Sequence, residues 1–184
     1  MRDGGDTTSF TGGRDRAICR GVVRALYIYA VLLAPVFAAS AEKLIAQPAP
    51  DFSLKSLSGE NLRLSEYRGE IVLVNFWASW CGPCREQMEV LSDLHAEFHD
   101  QGLNILSVSI DRKSRRATNL LEKLQPEFPV LLDDRKTVSR LYDLGDMPFT
   151  MLVDHSGAVR AVYTGFKNED VQAYQTQIAA LMAE

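Results

Sequence analysis

Cysteine is scarce in this chain, with three in 184 residues. That excludes a small scaffold stapled by many disulfides. An excess of positive charge is also missing. Twenty Lys and Arg stand against 24 Asp and Glu, a formal net charge of −4, so the basic footprint of a nucleic-acid binder is absent. Glycine (12) and proline (7) are too few for a collagen-like or low-complexity chain. With 46% hydrophobic residues the composition is that of a globular protein rather than a wholly disordered one. The sequence contains no internal repeat, and one uncharged run, Ala25 to Ala41, is long.

That run (ALYIYAVLLAPVFAASA) follows Arg14, Arg16, Arg20 and Arg24 and precedes Glu42 and Lys43. A basic stretch, an apolar stretch and an A-x-A ending predict a secretory signal peptide over residues 1–41, with cleavage after Ala41. The alternative is an uncleaved membrane anchor, for which seventeen residues interrupted by Pro35 are short. Either way the remainder faces an oxidising, extracytoplasmic space, the periplasm in a bacterium. Cleavage leaves residues 42–184, with 15 basic and 21 acidic residues, and removes Cys19. Cys81 and Cys84 remain, an even pair at a spacing of three.

The pattern of residues 42–184 predicts one α/β domain, a mixed sheet with helices on both faces. Gln47 to Asp51 is a stiff extended lead-in. Phe52 and Leu54, then Leu62 and Leu64, alternate around Ser58-Gly59 as a hairpin with one buried face. Ile71 to Trp77 (IVLVNFW) is a strand buried on both sides. A helix is predicted from Cys84 to Asp100, with Met88, Leu91, Leu94 and Phe98 as its apolar stripe and Gly102 as its stop. Then come a strand over 103–110, a helix over 112–124 ended by Pro126 and Pro129, a short strand over 130–132 and a short helix over 136–144. Strands at 149–154 and 158–163 join through His155-Ser156-Gly157. Asn168 is read as the cap of a last helix, with Val171, Tyr174, Ile178 and Leu181 facing inward.

Chemistry is expected where the most buried strand hands over to a helix, at Trp80-Cys81-Gly82-Pro83-Cys84. Pro83 fits the first helical turn, where a missing N–H costs nothing. Unpaired backbone N–H groups and the positive end of the helix dipole face the Cys81 sulfur and favour thiolate over thiol. Cys84 lies about one turn along, near enough to close a disulfide with Cys81. Cys81 is thus the nucleophile that forms a mixed disulfide with a partner, and Cys84 resolves it. Structural zinc would need a second cysteine pair that the chain lacks. A purely structural disulfide enclosing two residues would constrain the unfolded chain little.

W-C-G-P-C after VLVNFWAS is similar to the site of thioredoxin-fold oxidoreductases, and the chain from APDFSL through SEYRG to the last helix resembles the exported TlpA/ResA class. The resemblance implies a thioredoxin-like fold with an N-terminal β-hairpin extension and protein-disulfide reductase activity. It also implies a redox-active disulfide instead of a cofactor or metal, and a cis peptide before Pro148 in GDMPFTMLVD. The substrate-contacting residues it implies are Trp80, Gly82, Pro83, Met147 through its backbone, and Pro148, with Trp77 packed beneath. The implied partners are a protein disulfide substrate and a membrane thiol donor as reductant, with membrane contact confined to the N-terminal signal or anchor. The chain is read as a monomer. Gly-Pro between the cysteines resembles reducing members. Two positions depart from the pattern. Asn75 stands where thioredoxins have a buried acid, and Gln87 stands where some cytochrome-c-maturation members have Glu; Glu86 projects roughly 200° from Cys84 on a helix. Both neutral amides leave Cys84 to lose its proton to water or to the partner, and they weaken the expectation of a role in cytochrome c biogenesis.

Other readings are a copper- or haem-handling chaperone using C-x-x-C as soft ligands, with no His near Pro148 to support it, and a peroxiredoxin-like antioxidant, whose P-x-x-x-T-x-x-C motif is absent. His95 and His99, in H-A-E-F-H, are not the zinc-protease H-E-x-x-H and are assigned to a solvated face. Arg112, Lys113, Arg115 and Arg116 are likewise assigned to solvent, and Phe128, Phe149 and Phe166 to the core.

Overall fold

The computed structural model describes residues 43–112 and 114–184. The predicted signal over residues 1–41 and Lys113 of the basic run lie outside the described residues. Seven strands form one sheet: β1 (Ser53–Ser56), β2 (Asn61–Arg63), β3 (Ile71–Trp77), β4 (Leu103–Ser109), β5 (Val130–Leu132), β6 (Phe149–Val153) and β7 (Val159–Thr164). Their spatial order is β2-β1-β5-β4-β3-β6-β7. The helices are α1 (Gly82–Phe98), α2 (Ser114–Leu124), α3 (Thr137–Leu141) and α4 (Asp170–Met182). This is the thioredoxin-like α/β architecture with an N-terminal hairpin.

The apolar run IVLVNFW becomes the sheet's centre. All seven residues of β3 are buried, because β3 pairs in parallel with β4 and antiparallel with β6. Side chains alternate across it. Asn75 faces α1, where it meets Gln87, which in turn donates to Tyr174 of α4. Phe76 faces the other way, toward Tyr142 (ring centroids 5.3 Å) and Phe149 (6.0 Å), with Phe52 completing the aromatic group at 6.1 Å from Tyr142. The Tyr142 hydroxyl donates to the Pro50 carbonyl and so ties the lead-in to this side. The lead-in also bonds along the start of β7, through Ala46 N to Val159 O (2.7 Å), Val159 N to Gln47 O (2.9 Å) and Ala49 N to Gly157 O (2.9 Å).

Element types agree with the pattern, and the differences lie at ends. Helix α1 starts two residues earlier than the stripe suggested. It closes through a short 3₁₀ turn at His99–Gln101 onto Gly102, whose φ of 106° suits a residue without Cβ. Asn168 is not the cap of α4. The helix begins after Glu169, which makes no side-chain cap bond, and Asp170 instead accepts from the Lys167 N–H at 2.7 Å. Phe128 and Phe149 are core residues, whereas Phe166 is only partly buried. Arg112, Arg115 and Arg116 are exposed, as expected. His95 corrects a second expectation, for it is 8% exposed, with its ring 4.4 Å from that of His99 and 5.8 Å from Phe128. It belongs to the buried side of α1, one turn after Leu91, and only His99 faces solvent.

Candidate active site

Strand β3 ends at Trp77, and residues 78–80 carry the chain to Cys81, the N-cap of α1. Asp111, buried just after β4, clamps this loop. Its carboxylate accepts from the Ser79 N–H (2.8 Å), the Ser79 hydroxyl (3.0 Å) and the Ser109 hydroxyl (3.3 Å). Cys81 Sγ accepts from the Cys84 N–H at 3.2 Å, the contact expected of a helix N-cap acceptor. Pro83 occupies the first turn without breaking a bond. The two cysteines form a disulfide with S–S 2.03 Å and Cα–Cα 5.3 Å.

Trp80 stands out from the surface at 62% exposure, while Trp77 is wholly buried below it. Gly82 is partly buried and Pro83 exposed. The peptide Met147–Pro148 is cis. Because Phe76 pairs with Phe149, Pro148 flanks the end of β3 from which the cysteine loop departs. Its carbonyl is held by the Gly165 N–H at 2.8 Å, and Met147 is half-buried. An open groove of about 280 Å³ extends from Met147 across Ile110 and Leu144, with Lys136, Ser139 and Arg140 on its wall. The predicted site residues therefore gather at one end of the sheet.

The comparisons with known proteins agree with this geometry. Residues 45–174 match the AhpC/TSA family. The thiol-disulfide oxidoreductase ResA of Geobacillus thermodenitrificans is 31% identical over 90% of this chain and 97% of its own. ResA of Geobacillus kaustophilus is 34% identical over 73% of this chain and 78% of its own. The chain belongs to the AhpC/TSA family, as a ResA-like thiol-disulfide oxidoreductase. Among solved structures, a Chlorobium tepidum protein assigned as thiol:disulfide interchange protein DsbE superposes with a TM-score of 0.72 at 34% identity, covering 75% of this chain and 97% of that one.

Sequence reasoning named Asn75 and Gln87 but not the network they enter. Asn75 Nδ2 donates to Gln87 Oε1 at 2.6 Å and to Thr150 Oγ1 at 3.2 Å. Gln87 Nε2 donates to Thr150 Oγ1 at 3.0 Å and to the Tyr174 hydroxyl at 2.8 Å. All four side chains are essentially unexposed. Burial pushes the Tyr174 hydroxyl up to about 12, against the opposing hydrogen bonds of Gln87 and Thr150. Asp111 was missed as well; its only signal was a carboxylate directly after a buried strand.

Proposed function

We propose that this oxidoreductase is exported by its N-terminal segment and reduces disulfides of other proteins outside the cytoplasm. The observation that supports this best is the placement of Cys81 Sγ at the start of α1, at the sheet end that also carries exposed Trp80 and cis Met147–Pro148. A helix start stabilises sulfur as an anion. The backbone beside Met147 offers an extended peptide a line of hydrogen-bonding groups, and the adjoining groove gives room for its side chains. Cys81 attacks the substrate disulfide and forms a mixed disulfide. Cys84 then attacks Cys81, and the substrate leaves reduced. The two sulfurs are the redox group, so the reaction needs no organic cofactor. Electrons return from a dithiol donor in the membrane. Residues 1–41 serve as the export signal or, uncleaved, as the anchor.

Insulin reduction with dithiothreitol tests the reading directly. Cys81→Ser should abolish turnover, and Cys84→Ser should accumulate mixed disulfides on a non-reducing gel. Normal turnover by Cys84→Ser with protein substrates would refute the two-cysteine cycle. Stoichiometric bound copper with no turnover would point to a metal carrier instead.

A further inference from the structure

The amide network behind the disulfide is complete except at one atom. Both N–H donors of Asn75 and both of Gln87 are used, and the Gln87 carbonyl accepts from Asn75. Asn75 Oδ1 is buried without a partner. An orphaned carbonyl in the interior is costly, and a donor at that position in some state of the protein would satisfy it. Turning the Asn75 amide alone does not relieve it, because that would set the Asn75 oxygen against the Gln87 oxygen.

Oxidation removes one donor from the buried side of α1. Cys84 precedes Gln87 by three residues on the buried side of α1, and residues so spaced share a helix face. Gln87 touches Asn75, so the next buried position toward the start of α1 is Cys84. In the disulfide its sulfur carries no proton, whereas reduction gives it an S–H. We propose that the thiol of reduced Cys84 donates to Asn75 Oδ1, which makes Asn75 a positioning residue that keeps the resolving thiol neutral and aimed until a mixed disulfide forms on Cys81. This rests on the oxidoreductase reading above and deepens it.

The neighbours of Asn75 offer no base. Gln87 and Thr150 do not titrate, and the Tyr174 hydroxyl stays protonated at neutral pH. The proton therefore leaves with the product. As the Cys84 sulfur bonds to the Cys81 sulfur, the bond between Cys81 and the substrate sulfur breaks. The departing substrate thiolate then takes up, directly or through water, the proton that Cys84 gives up.

The test uses the full chain carrying Cys19→Ser and Cys81→Ser, which leaves Cys84 as its one thiol. Its infrared S–H stretch should lie below that of a free thiol. The band should return to the free value in Asn75→Leu and in Asn75→Ala, both of which remove the acceptor. With both active-site cysteines present, Asn75→Leu should move the equilibrium with glutathione roughly fivefold toward the disulfide, the worth of one hydrogen bond. A band already at the free value, or one unmoved by either substitution, would overturn the proposal. If Asn75→Leu does not fold, the smaller Asn75→Ala, which also removes the acceptor, decides. The band is read without turnover, so a failed insulin assay would strike the functional reading and leave this measurement to stand or fall separately.

Discussion

A histidine packed between a second histidine and a phenylalanine is a poor place for a proton. Burial first, and the charge of His99 second, hold His95 below its ordinary value, against the opposing pull of Glu127 and Asp100. The folded chain therefore prefers neutral imidazole, while the unfolded chain takes up a proton once the pH falls below about 6.5. Stability from this source is complete above that pH and is lost as the pH drops beneath it. His95→Leu should flatten the fall in urea midpoint between about pH 7 and pH 5; an unchanged slope would show that His95 is not its origin. The position could have been recognised, since 88, 91, 95 and 98 also make a helical stripe. Its neighbours Leu94 and Phe98 were read correctly, but the ring was assigned outward because H-A-E-F-H does not match the zinc-protease motif.

Two features decide how the elements end. Asp133 is 1% exposed and its carboxylate receives the Thr137 (2.8 Å), Val138 (3.3 Å) and Ser139 (2.7 Å) N–H groups, which start the five-residue helix α3. A helix so short has little stability of its own. Asp133→Ala should cost about 2 kcal/mol in chemical denaturation and increase amide exchange across 137–141. Retained protection there would contradict the assignment. At the β6–β7 turn, Gly157 sits at φ 83° beneath the Arg68 guanidinium, which a Cβ would strike. Gly157→Ala should lower stability by about 1–2 kcal/mol through the left-handed backbone, while a companion Arg68→Ala relieves only the collision. Full rescue by that companion would mean that backbone strain contributes nothing. The turn itself was legible from His155-Ser156-Gly157. The side-chain caps were not, because Asp133 and Asp170 act through bonds that no local periodicity encodes.

Taken as one body, the fold was readable because its loudest signal, the uninterrupted apolar run 71–77, lies at the sheet's centre and aims directly at the cysteine pair. The cis Met147–Pro148 peptide and exposed Trp80 were reached by resemblance rather than by periodicity, since neither a peptide isomer nor a surface contact leaves a repeating pattern. What escaped entirely were bonds between distant segments: Asp111 on Ser79, and Thr150 and Tyr174 on Gln87. The account as a whole depends on Cys81 being the sulfur that meets the substrate while Cys84 waits beneath. Peptide mapping of the adduct formed when the reduced Cys84→Ser protein meets a disulfide-bonded protein substrate measures this most directly. The account predicts a single mixed disulfide at Cys81; absence of any adduct at that sulfur, or attachment only at Cys19, would contradict it.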